Sequence, residues 1–247
     1  MTLCGAGIRF SDYPEPGSIE IPYPSPEGDL THFKRWRLSD PRPDDRKYHQ
    51  EHGTKVYVYY PPFFFRKNGE TATRFRLLPD TIFVAKGEFK TLSLLEYGVW
   101  AIGIPSFTVY SRDENGNRQL LRDLQVIFGK EKPSAIYFFG DNDTCTNFEF
   151  SRNAEFLASA ANPAKVFLPR IPMASPKGID DCREALGAAF DAFFANLIES
   201  AIELPRKISA PSIALILLGR EKDALKTLDG VQRERQFERI VKMCSAA

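Results

Sequence analysis

Three short polar clusters carry residue types able to do phosphate or metal chemistry. They are Lys86-Gly87-Glu88, Gly140-Asp141-Asn142-Asp143 and Lys177-Gly178-Ile179-Asp180-Asp181. Carboxylates at i and i+2, such as Asp141 and Asp143, repel each other unless a cation sits between them. Carboxylate oxygens with few other ligands suit Mg²⁺ or Mn²⁺, and such an ion can position and neutralise a phosphate. The same residues also have plainer uses. Gly-Asp-Asn-Asp equally makes a turn closed by an Asx hydrogen bond. Asp180-Asp181 equally suits a helix start, where acids are favoured.

A second kind of chemistry lies upstream. Residues 31–76 hold 11 Lys/Arg against 5 Asp/Glu, a local net charge of +6, so the rest of the chain carries −5 to reach the overall +1. The basic side chains Lys34, Arg35, Arg37, Arg42, Arg46 and Lys47 can track a phosphate backbone. Trp36, Tyr48, Tyr57 and Tyr59 can stack on unpaired bases. Alternation also allows the aromatics to form the core face of a strand and the arginines its wet face, and this reading is the favoured one for the aromatics. Phe63 to Phe65 reads as core or a partner surface.

The elements that must position these groups follow from pattern. At 247 residues, 43% hydrophobic and 26% charged, the chain can bury a sizeable core and is not disordered in the main. Ser18 to Tyr23, Phe33 to Leu38 and Lys55 to Tyr60 read as strands. Apolar strands are predicted at Thr81 to Ala85, Trp100 to Ile104, Ser134 to Phe139 and Lys165 to Leu168. Helices are predicted at Phe89 to Tyr97 with a stop at Gly98, at Ser151 to Ala161, and at Asp180 to Glu203. Two more helices are expected after Ser212. Strands alternating with helices imply a mainly parallel sheet covered on both faces. Ligands bind such sheets at the carboxyl ends of the strands, where the three polar clusters fall.

The fold class is therefore α/β. A mainly parallel sheet flanked by helices (79–205) follows a small, basic, strand-rich α+β subdomain (1–78) and precedes a helical segment (206–247). The longest apolar run, Ile213 to Leu218, is too short to span a bilayer. The first ten residues show no secretory pattern. Cys4, Cys145, Cys182 and Cys244 form no CxxC pair, which fits a reducing compartment and a cytoplasmic location.

Order and spacing then suggest a family. Val84-Ala85-Lys86-Gly87-Glu88-Phe89-Lys90, followed by Gly98-Val99-Trp100-Ala101-Ile102-Gly103-Ile104-Pro105, resembles the opening of a TOPRIM domain. Asp141-x-Asp143 resembles its Asp-x-Asp motif. Lys177-Gly178-Ile179-Asp180-Asp181 resembles the third acidic motif in phage and plasmid primases of that type. The likeness spans about Pro79 to Glu203. More loosely, Ile19 to Tyr23, Glu27-Gly28, Arg35-Trp36-Arg37-Leu38 and Lys47-Tyr48 resemble the basic subdomain that precedes TOPRIM in bacterial-type primases. No zinc-binding module or helicase phosphate loop accompanies it.

The resemblance implies a primase-like protein of a mobile element, performing metal-dependent nucleotidyl transfer on a single-stranded DNA template. Asp141, Asp143 and Asp180 would hold Mg²⁺ or Mn²⁺. Glu88, Lys86 and Asp141 would be the catalytic candidates. Lys34, Arg35, Arg37, Arg46, Lys47, Trp36 and Tyr48 would contact nucleic acid or nucleotides. One position departs from the family, which carries Glu immediately before the Gly of its first motif. Here Lys86 stands there. It could replace the metal's charge or bind a phosphate oxygen as a point charge. That leaves two alternatives. One is a catalytically degenerate module that binds DNA, or a protein partner in replication or phage–host conflict, and holds no metal. The other is a TOPRIM nuclease.

Overall fold

The computed structural model describes residues 7–24, 30–40, 47–60, 80–227 and 229–245. Arg9–Ser11 (β1), Ser18–Pro24 (β2), Leu30–Arg37 (β3) and Tyr48–His49 (β4) form an antiparallel meander in that order. Thr81–Lys86 (β5), Ala101–Ile104 (β6), Ala135–Phe139 (β9), Lys165–Leu168 (β10) and Ile202–Leu204 (β11) form the second sheet. Its order is β11-β10-β9-β5-β6, all pairs parallel except the β10–β11 edge. Ile82, Phe83, Val84 and Ala85 are each fully buried, as a parallel strand covered on both faces requires. Tyr110–Arg112 (β7) and Arg118–Leu120 (β8) make a separate hairpin.

Helices cover both faces. Glu88–Tyr97 (α1) buries Leu94 and Leu95 in the main core and is closed by Gly98, whose N–H bonds the carbonyls of Leu94 and Leu95. Arg122–Glu131 (α2), Phe148–Ala160 (α3), Ile179–Leu186 (α4) and Phe190–Glu199 (α5) follow. Phe194 of α5 lies over Phe83 and Phe139 of the sheet. Ala210–Arg220 (α6) packs on α3, and Lys222–Thr227 (α7) and Gly230–Ser245 (α8) complete the described chain. None of the helices among the described residues is long and apolar enough to cross a membrane.

The two sheets meet in a second apolar cluster: Ile8, Ile21, Tyr23, Phe33 and Tyr59 close around Leu92 of α1. Tyr59 also exchanges two backbone hydrogen bonds with Gly103 on the β6 edge, at 2.6 and 2.9 Å. That isolated bridge is the only strand pairing of segment 55–60 among the described residues, so the strand expected there is not formed, although Val58, Tyr59 and Tyr60 are buried. Three other expectations change. The helix expected across 180–203 breaks at Gly187, whose φ of +49° no regular helix accommodates. Its last residues turn back as β11. Among the described residues three helices, not two, follow residue 205. β1, the β7–β8 hairpin and α2 were not foreseen. Strands of three residues are too short to show alternation, although Asn115-Gly116 does sit at the hairpin turn.

Candidate functional site

Sheet register brings the first two clusters together. Ala85 pairs with Phe139, so Lys86 and the Gly140-Asp141 step leave adjacent strands at the same end. Gly87, at φ +92°, turns the chain from β5 into α1, and its N–H bonds Ile104 O at 2.7 Å. The first turn of α1 therefore presents Glu88, Phe89 and Lys90 beside Lys86. The third cluster is tied on through Asn142. Its N–H bonds Lys177 O at 2.8 Å, and its side-chain amide bonds Ser175 O at 2.8 Å and Met173 O at 3.2 Å. The buried Glu221, between α6 and α7, holds the same loop through Arg170. The Asp181 carboxylate accepts the Gly178 N–H at 2.9 Å, which leaves the neighbouring Asp180 to face α1.

These elements enclose a cleft of about 240 Å³. Its walls carry five cations, Arg37, Lys47, Lys86, Lys90 and Lys177, with Tyr48 and the acids Glu88, Asp141, Asp180 and Asp181. Asp141 is 2% exposed. Lys86 Nζ lies 3.1 Å from its Oδ2, and Lys90 Nζ lies 3.2 Å from its Oδ1. Lys90 Nζ is also 4.0 Å from Asp180 Oδ1. Burial works to raise the Asp141 carboxyl, but Lys90 and Lys86 outweigh it and hold it below the usual carboxylate range. Asp180 goes the other way, raised by burial, which outweighs the pull of Lys90, with a smaller push from Asp181. Lys86 also lies 4.5 Å above the Phe107 ring.

The other candidates divide between the cleft and the interior. Asp143 does not line the cleft; it faces Arg239 of α8 at 3.5 Å. Glu88 is fully buried and its Oε1 takes Arg35 Nη1 at 2.6 Å and the Tyr23 hydroxyl. Arg35 is thus turned inward, stacked at 4.4 Å on Tyr48. Burial and the Glu88 charge push the Tyr48 phenol up to about 12, so it stays neutral. Arg37 is exposed and lies 4.7 Å over Phe89 at the cleft mouth. Lys47 is exposed on the same rim. Lys34 pairs with Glu20 at 3.1 Å, and Trp36 is buried against Tyr13. The β3 aromatics Phe33 and Trp36 are buried as expected, but the arginines do not form a separate wet face. Phe33 and Arg35 share the inner face, and Arg37 continues it to the cleft. Arg42, Arg46 and Phe63 to Phe65 lie outside the described residues. Cys145 and Cys182 are buried free thiols, pushed up by burial to about 12 and about 11, so neither is an activated nucleophile.

Lys90 and Lys177 fall within the quoted motifs but are given no role of their own by the sequence. Lys90 carried a usable signal: a cation in the first turn of a helix opposes the macrodipole and needs an acidic reason to be there. Both oxygens of Asp141 face ammonium groups, and Asp143 points to α8. Among the described residues no group of three or more His, Cys, Asp or Glu side chains is placed to hold a metal.

A family described as a domain of unknown function (DUF3854) matches residues 78–189. A comparison with curated proteins finds no match. Solved structures are similar across nearly the whole chain. The Aquifex aeolicus primase fragment with zinc-binding and RNA polymerase domains is 15% identical at a TM-score of 0.51, covering 96% of this chain. This chain spans only 55% of that one. The E. coli primase catalytic core is 14% identical at 0.51, with 98% and 76% covered. A DnaG primase catalytic domain bound to ssDNA is 12% identical at 0.50, with 97% and 76% covered. At such identities the likeness concerns the fold, and the fold of this chain is similar to that of the DnaG primase catalytic core.

Proposed function

We infer that this chain is a primase-fold module that binds single-stranded DNA across the cleft between its two sheets, without a divalent metal. One observation carries the reading: Lys86 and Lys90 together face both oxygens of Asp141. Around them Arg37, Lys47 and Lys177 line the same cleft and make no ion pair among the described residues. Cations with no acid of their own suit phosphate contacts. Tyr48, half-buried in the cleft wall, offers a ring to an unstacked base. Replication, or conflict between phage and host, is the setting this proposal implies.

The test is fluorescence anisotropy with a labelled single-stranded oligonucleotide, in EDTA and in Mg²⁺. Equal affinity in both is expected, with a log–log salt slope near −2 for about three neutralised phosphates. Failure to bind at low salt, or binding only with Mg²⁺, overturns the reading. The runner-up is metal-dependent nucleotidyl transfer on a single-stranded template. It is favoured by the likeness to primase cores and by Asp141 and Asp180 lining one cleft. Template-dependent synthesis with a full nucleotide mix and Mn²⁺ would establish it.

A further inference from the structure

Lys90 has a place that calls for its own explanation. Its ammonium stands between two carboxylates from different elements, Asp141 after β9 and Asp180 at the start of α4, at 3.2 and 4.0 Å. A bridging divalent ion would stand between the same two oxygens. The surroundings are shaped to the lysine stem. A Cβ on Gly178 would lie 2.3 Å from Lys90 Cε and 2.4 Å from Asp180 Oδ1. Only a residue without a side chain at 178 leaves both groups where they are. Lys86 then covers the remaining Asp141 oxygen at 3.1 Å.

We propose that Lys90 is a resident cation occupying the bridging metal position between Asp141 and Asp180, with Lys86 as its partner, so that this protein excludes divalent ions by charge already in place. Two substitutions would reverse the arrangement. Lys86→Glu adds a third carboxylate beside Asp141. Lys90→Met keeps the apolar stem in the space opened by Gly178 but removes the ammonium. The proposal rests on the metal-free part of the functional reading and deepens it, while DNA binding is tested separately.

The experiment is Mn²⁺ binding by electron paramagnetic resonance, with thermal unfolding alongside, on the full chain. Wild type should bind no Mn²⁺ in the low millimolar range and show no shift in Tm. Lys86→Glu/Lys90→Met should bind one Mn²⁺ at least about 100-fold more tightly than wild type and gain Tm with Mn²⁺. Mn²⁺ uptake by wild type overturns the proposal, as does a folded double variant that takes up none. If the double variant does not fold without metal, Lys90→Met alone decides: stabilisation by Mn²⁺ supports the proposal, and its absence overturns it. Loss of DNA binding with this Mn²⁺ pattern intact would sink the functional reading and leave this one standing.

Discussion

Two acid–cation clusters start from positions two residues apart and end up doing different work. At Glu88 the carboxylate is fully buried and its partner Arg35 has a side chain only 9% exposed. The pair lies where the N-terminal sheet meets α1, beside Tyr23 and the apolar cluster around Leu92. At Asp141 the acid is equally buried, but Lys86 and Lys90 are 34% and 19% exposed. Their ammonium groups reach the cleft. A planar guanidinium sealed in the interior has no other anion to find, so it fastens two sheets together. Flexible ammonium groups at a cleft edge can exchange a carboxylate for an incoming phosphate. Burial of the cation, more than the identity of the acid, separates a structural ion pair from a binding site.

The largest effect should come from the dry cluster. Glu88→Ala strands Arg35 and is expected to cost about 3–5 kcal/mol in denaturant unfolding. A loss below about 1 kcal/mol would erase the contrast. Next, removal of the three rim cations in Arg37→Ala/Lys47→Ala/Lys177→Ala should weaken single-stranded DNA binding about tenfold or more. It should flatten the salt slope by about 2 and leave stability nearly unchanged. An unchanged slope would place the DNA elsewhere. Asp141→Asn is a finer probe. It removes an anion from the cleft and should tighten DNA binding about two- to fivefold, a Coulomb effect of at most about 1 kcal/mol. Weaker binding would mean that the acid itself serves the ligand. The smallest effect is in acid titration. Asp180 is raised and Asp141 lowered, so carboxyl NMR should show Asp180 protonating first as pH falls. The sign for stability is opposite at the two acids. The Asp141 contribution is present above its unfolded pKa and is lost as pH falls through the lower folded value. The Asp180 contribution is present below its unfolded pKa and is lost as pH rises through the higher folded value. Coincident titration of the two acids would contradict the assigned partners.

The parallel sheet was legible because its strands are continuous apolar runs, and Lys165 to Leu168 and the stop at Gly98 appear as read. The meeting of the three polar clusters was also legible, since strand ends in such sheets share one edge. Three features were not. Alternation in β3 separates Arg35 from Trp36 but does not say which face turns inward when another layer covers it. The i and i+2 acids part because the chain enters a 3₁₀ turn at Thr144–Thr146, a choice made by local packing. Lys90 shows in sequence only as a cation in the first turn of a helix, and its acidic neighbours come from residues 141 and 180, which only the fold brings near.

The central claim is that the cleft carries its own cations where a divalent ion would sit. A calorimetric titration of Mn²⁺ into the wild-type chain tests it most directly. The account predicts heats of dilution alone. A one-site isotherm that disappears in Asp141→Asn/Asp180→Asn would contradict it.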